Sequence, residues 1–237
     1  MRTTTSSRRL DQWLGQASGL SRAQAQRAIR RGEVKVDGEP VTDPGRHVDV
    51  DARVEFAGEL LAVPQPRYFM LHKPAGVVCA TEDRQHRTVL DLIDVPNKAG
   101  LHPAGRLDID ATGLVLVTDD GEWSHRITAP RRKVAKIYRV TLAEPLTDAA
   151  AAALATGVQL RGEPKRCAPA VLERLGEREA RLTIAEGKYH QVKRMFAAVG
   201  NHVLRLHRER IGTLELDPTL PEGSMRPLTI DEIQGVR

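Results

Sequence analysis

At 237 residues and 26.2 kDa the chain is long enough for one large domain or for a small module beside a medium one. Hydrophobic residues at 41% and charged residues at 28% exclude a disordered, collagen-like or disulfide-scaffold chain and leave a globular protein. The formal charge of +5 suits a polyanionic partner, while aromatic residues at only 3% argue against a single-strand binder built on many stacked rings.

Residues 1–9 are rich in Thr, Ser and Arg without an apolar core. No run nears the roughly 18 apolar residues that span a bilayer, so the expectation is a cytoplasmic protein without membrane contact. Cys79 and Cys167 each lack the close second cysteine of a zinc knuckle or redox pair, which leaves buried free thiols.

Charge is segregated along the first third. Residues 1–36 carry eight Arg or Lys against Asp11 and Glu33, whereas residues 37–63 carry seven carboxylates against Arg46 and Arg53. Leu10, Trp13, Leu14 and Ala17 fall at i, i+3, i+4 and i+7, which predicts a first helix stopped by Gly19. Ser21 with Gln24 makes a capping box for a second helix, with Ala25, Ala28 and Ile29 on one side and Arg27, Arg30 and Arg31 on the other. After Gly32, Val34 and Val36 alternate into the hairpin signal Asp37-Gly38, and Val41, Val48, Val50, Val54 and Phe56 supply further short strands. The Arg cluster reads equally as a solvated helix face or as a phosphate-binding face. The string SRAQAQRAIRRGEVKVDGEPV resembles an S4 RNA-binding module, a resemblance that implies the second use for Arg27, Arg30 and Arg31.

Pro64 and Pro66 break the pattern, so the expected organisation is a module over 8–63, a linker over 64–67 and a second domain over 68–237. From Tyr68 the strand-like runs YFMLHK, VVCAT, GLVLVT, KIYRVTL, AVLERL, ARLTIAEG and HVLRLHRERI alternate with helical patterns, clearest at 148–157 and 190–200, which predicts a mixed α+β domain. The segment lacks the Gly-rich phosphate loops and the paired-His helix motif of nucleotide and zinc enzymes.

The densest stretch spans 101–130, where Arg106, Asp108 and Asp110 sit on a Gly-flanked turn before an apolar strand. Asp108 and Asp110 are candidates for chemistry or for capping the turn, and Asp119 and Asp120 read as turn caps. A metal-dependent nuclease using all four would need carboxylates from both ends of the strand to converge on one ion. His125, His190, His202 and His207 read as ordinary surface or core histidines. Tyr138, within a strand pattern, reads as a core aromatic or a site residue, and Lys193, beside the apolar stripe Val192, Met195, Phe196 and Val199, can turn inward or outward.

GRLDIDATGLVLVTDDG resembles the catalytic motif of pseudouridine synthases of the small-subunit rRNA type, and the resemblance extends through YFMLHKPAG, WSHRITAP, KIYRVTL, EGKYHQVKRMFAAVGNHV and LHRERIG, as well as the S4 module in front. It implies an α+β protein in which a small S4 module precedes a mostly antiparallel-sheet catalytic domain. Asp108 would be the essential carboxylate, Tyr138 the aromatic residue at the target base, and Lys193 the cation paired with the carboxylate, where the wider family often has Arg. A carboxylate suits the work, since cleavage at ribose C1′ develops oxocarbenium-like charge. The departing uracil returns as its own nucleophile, so the implied reaction needs no cofactor and no metal.

Base flipping is expected, with Arg106 as wedge or phosphate contact, and Arg126 lies with Arg131, Arg132 and Lys133 in a basic run that either touches RNA or is merely solvated. The implied partner is 16S rRNA, in partly assembled small-subunit particles, met by a monomer. Two alternatives stay open: a synthase acting on large-subunit (23S) rRNA, because the Gly-Arg-Leu-Asp turn is shared by related enzymes, and a non-catalytic rRNA-binding assembly factor.

Overall fold

In the computed structural model, which describes residues 7–49 and 51–236, the apolar stripe at Leu10, Trp13 and Leu14 becomes the buried face of α1 (Leu10–Ser18), closed by Gly19 in the left-handed region at φ 79°. Helix α2 (Arg22–Arg30) starts on the reciprocal capping box of Ser21 and Gln24 and buries Ala25, Ala28 and Ile29, leaving Arg27, Arg30 and Arg31 exposed. Short strands follow the helices or flank them: β1 (Arg8–Arg9), β2 (Val34–Val36), β3 (Glu39–Pro40), β4 (His47–Val48), β5 (Val54–Phe56) and β6 (Glu59–Leu60). Strand β1 pairs with β4, and the others form an antiparallel sheet in the order β3-β2-β5-β6, with Asp37-Gly38 as the hairpin between β2 and β3. Val34, Val36, Val41, Val48 and Val54 meet the two helices in one apolar core.

A buried carboxylate ties the helices together. Asp11 accepts hydrogen bonds from Arg9 at 2.9 Å and Gln26 at 2.8 Å, with Arg22 at 3.5 Å. Burial pushes its carboxyl up, but the Arg9 and Gln26 hydrogen bonds and the charges of Arg9 and Arg22 outweigh this and hold it at about 2.

The chain divides into two compact units, and the first takes Val95–Leu101 in addition to residues up to Arg67. This differs from the expected second domain over 68–237, which includes 95–101. Its placement follows from main-chain acceptors: Arg67 donates to the carbonyls of Asn97 and Ala99, and Asn97 donates to Gln16 O at 3.0 Å.

The second unit is built on one sheet: β7 (Tyr68–Lys73), β8 (His102–Pro103), β9 (Thr112–Thr118), β10 (Lys136–Leu142), β11 (Val171–Arg174), β12 (Glu179–Ile184), β13 (Val203–Ile211), β14 (Leu214–Glu215) and β15 (Met225–Pro227). The order β11-β12-β10-β13-β9-β7-β15 is antiparallel throughout the described residues except where β9 runs parallel to β13, with β8 on β9 and β14 on β13. Helices α3 (Gly121–Thr128), α4 (Asp148–Thr156), α5 (Gln191–Ala198) and α6 (Ile230–Gly235) complete the α+β unit. Strand β9 is buried from Gly113 to Thr118, which explains its unbroken apolar run, while β12 alternates. Met70, Leu114, Leu116, Trp123, Ile127 and Ile211 form the core near the site.

The VVCAT run, expected as a strand, makes only an isolated bridge between Val78 and Thr88. After β7 the chain turns through Pro74, which has no N–H for a ladder, and its polar groups go to another loop: Gly76 N–H bonds Ile109 O at 2.8 Å, and Cys79 Sγ accepts from Leu107 N at 3.3 Å.

Candidate active site

The turn over 105–111 is pinned from below. Lys73, fully buried at the end of β7, donates from Nζ to the carbonyls of Ala111 at 2.7 Å, Pro74 at 2.9 Å and Ile109 at 3.3 Å, and burial pulls its ammonium below the ordinary value. Arg208 Nη1 donates to Arg106 O at 3.1 Å. A glycine makes this possible: at Gly113, φ is 108° and an added Cβ would lie 2.3 Å from Arg208 O, so only glycine lets β9 and β13 approach here. Asp108 therefore leaves a rigid turn rather than a free loop.

Helix α5 brings the counter-charge. With Val192, Met195 and Phe196 buried, Lys193 faces the turn, its Nζ 3.2 Å from Asp108 Oδ2 and 2.5 Å from Asp110 Oδ1. Burial pulls the Lys193 ammonium down, yet its bonds to Asp110 and Asp108 outweigh that and raise its pKa. The same hydrogen bond lowers the Asp110 carboxyl. Asp108 is the more enclosed carboxylate, its side chain 21% exposed against 67% for Asp110.

A cleft of about 560 Å³ opens beside this cluster, lined by Arg106, Asp108, Lys136, Tyr138, His190 and Arg208, among others. That volume falls in the range of roughly 300–1,000 Å³ usual for small-molecule sites and accommodates a nucleotide. Tyr138, buried on β10, opposes Leu182 and Arg208 across the ladder. Arg106 is exposed at the lining, while Arg126 lies on the exposed side of α3, outside it. Asp120 caps α3 by accepting from Trp123 N at 3.0 Å, and Asp119 is buried, so neither joins Asp108. Among the described residues no group of three or more His, Cys, Asp or Glu is arranged to hold a metal ion.

Two site residues escaped the sequence reading. His190, read there as ordinary, brings Nε2 to 3.5 Å from Asp108 Oδ1, and Tyr189 stacks on its ring at 3.8 Å while remaining 74% exposed. His190 sits in the left-handed region at φ 45°, immediately before α5. Its loop is held by Gln191, which accepts from Lys188 N and donates to Glu186, both at 2.8 Å, and by Arg194, which donates to Tyr189 O at 2.9 Å. The only sequence signal was the pair of rings in tandem at a helix start.

The site thus holds a carboxylate fixed beside a lysine at the rim of a nucleotide-sized cleft, with a tyrosine in the wall. Residues 67–198 match the RNA pseudouridylate synthase family and residues 8–54 match the S4 domain. The chain belongs to the RNA pseudouridylate synthase family, with an S4 domain at its N-terminal end. It is 55% identical over 229 residues to the ribosomal small subunit pseudouridine synthase A of Escherichia coli strain K12, covering 96% of this chain and 99% of the relative. The relative of the same name from Haemophilus influenzae is 49% identical, with 95% and 98% covered. A crystal structure of a pseudouridylate synthase superposes with a TM-score of 0.71 at 48% identity, covering 97% of this chain and 99% of that one. No helix of the described residues is long and apolar enough to cross a membrane.

Proposed function

We propose that the enzyme converts one uridine of small-subunit (16S) rRNA into pseudouridine, with Asp108 as the carboxylate that acts at ribose C1′. The observation that carries this reading is the enclosure of Asp108 between Lys193 at 3.2 Å and His190 at 3.5 Å at the rim of the cleft. The substrate class rests on relatives named as ribosomal small subunit synthases, whose match runs through both units.

The target uridine leaves its stack and enters the cleft, because C1′ of a stacked nucleotide is out of reach of Asp108. Lys193 holds the carboxylate in place through a point charge, with Asp110 sharing the ammonium. As the C1′–N1 bond weakens, the ionised carboxylate opposes the positive charge developing on the sugar. Tyr138 lies against the freed ring, and its hydroxyl serves the late proton transfer from C5. Arg106 at the rim and Arg126 on α3 contact the RNA backbone, and Arg27, Arg30 and Arg31 of the S4 domain add affinity without reading sequence. The enzyme acts as a monomer in the cytoplasm on partly assembled small-subunit particles.

Incubation with small-subunit and large-subunit rRNA, each free and in partial particles, followed by pseudouridine mapping at single-nucleotide resolution, tests the assignment. One uridine of the small-subunit RNA is expected to convert. Conversion confined to large-subunit RNA would replace the substrate, and tight binding without conversion would make the protein an assembly factor.

A further inference from the structure

Two cations in the cleft wall make no direct hydrogen bond or ion pair with Asp108. Arg208 is 1% exposed, with Nε donating to Leu114 O at 2.8 Å and Nη1 to Arg106 O at 3.1 Å, yet its buried Nη2 has no hydrogen-bond partner among the described residues. Lys136, the first residue of β10, donates from Nζ to Val134 O at 3.0 Å and has two further N–H donors. Burial, and after it the charge of Arg208, pulls the Lys136 ammonium below its ordinary value. Neither residue forms an ion pair with a carboxylate of the described residues. Buried charges are ordinarily paired, and a buried donor left without an acceptor is destabilising. Two like charges gathered in one cleft wall, with donors to spare, are the arrangement that an incoming ligand with acceptor oxygens would complete.

We propose that Arg208 and Lys136 form the anion-holding part of the cleft: they take the carbonyl oxygens of the uracil and bear the negative charge it acquires on leaving the ribose. The inference rests on the pseudouridine synthase reading of the same cleft. In that reaction the C1′–N1 bond breaks with its electron pair on the uracil, where the charge spreads over N1, O2 and O4. The ring turns, C5 bonds to C1′, the C5 proton leaves and N1 gains a proton, so the isomerisation balances without oxidant, reductant or second substrate. Donors that take those oxygens would bind the uracil anion more tightly than the neutral base, which would lower the barrier to bond cleavage. Gly113 serves this role indirectly, since the close approach of β9 to β13 brings Leu114 O and the Arg106 turn to the Arg208 guanidinium.

The test compares wild type, Lys136→Met, Lys136→Arg and Arg208→Lys in single-turnover conversion of small-subunit rRNA, with RNA affinity read by filter retention on the same samples. Lys136→Met is expected to slow conversion about 100-fold at unchanged RNA affinity. Lys136→Arg should recover most of that loss, and Arg208→Lys, which lacks the free Nη2 donor, should slow the step at least about tenfold. With 5-fluorouridine at the target, whose fluorine makes the base a better leaving anion, the Lys136→Met effect on consumption of the nucleoside should shrink. Wild-type rates for Lys136→Met, or equal slowing by Met and Arg at that position, would overturn the inference and leave the functional reading standing. A wild type that converts no rRNA would overturn both.

Discussion

Asp108 and Asp110 share one ammonium, that of Lys193, and their surroundings separate their roles. Asp110 makes the shorter contact, 2.5 Å, but from an exposed position, whereas Asp108 is enclosed and also faces His190. Lys193→Met is therefore expected to reduce conversion at least about 100-fold, and Asp110→Asn less than about tenfold, measured as single-turnover rates on one RNA. Because the Lys193 pKa is raised above its ordinary 10.5 and the Asp110 carboxyl is lowered from 3.8, the stabilisation from this cluster is full between those two ordinary values, fades as pH rises through the raised Lys193 value and fades as pH falls through the lowered Asp110 value. Asp11 acts on the acid side alone. Its carboxyl is lowered from 3.8 to about 2, so its contribution, of order 2 kcal/mol, is present above 3.8 and is lost as pH falls toward 2. Asp11→Asn should remove that contribution at neutral pH and flatten the acid dependence of unfolding between pH 4 and about 2, read by circular dichroism. At this scale the long strings that carry Asp108, Tyr138 and Lys193 point to residues that the structure places together, Asp108 and Tyr138 lining the cleft and Lys193 beside Asp108. The sequence was silent on Asp11, one acid in a basic stretch whose burial follows from helix packing, and on His190, whose approach to Asp108 depends on a left-handed backbone that no spacing encodes.

At the scale of elements, β9 and β13 run parallel where Gly113 meets Arg208, a residue that also lines the cleft. Gly113→Ala would place a methyl group 2.3 Å from Arg208 O on a backbone at φ 108°, so it is expected to destabilise the second unit by about 3 kcal/mol and to lower activity with it. Denaturant midpoints of the purified variant check this. Most of the regular elements were legible in the sequence because each has an apolar period of its own: the stripe of α1, the capping box of α2, the alternation of β12 and the unbroken run of β9. VVCAT was misread because a short apolar run also suits a loop that buries its side chains and gives its polar groups to a neighbouring turn. The assignment of Val95–Leu101 to the first unit rests on hydrogen bonds across dozens of residues, which local pattern does not carry.

At the scale of the whole molecule, the proposed function divides affinity and chemistry between the two units. The first exposes Arg27, Arg30 and Arg31 from one helix end, and the second holds the cleft. Replacing the three arginines with Ala should weaken rRNA binding and reduce the slope of log affinity against log salt by roughly 2–3, while conversion at saturating enzyme stays near wild type. Titrations at several salt concentrations distinguish this from a solvated helix face, for which the slope would not change. The proposed function has Asp108 convert a uridine of small-subunit rRNA inside this cleft. It is tested most directly by mapping pseudouridine in that RNA after incubation with wild type and with Asp108→Asn at matched occupancy. One converted uridine is expected with wild type and none with Asp108→Asn, at equal RNA binding. Conversion by Asp108→Asn at the wild-type rate would contradict it.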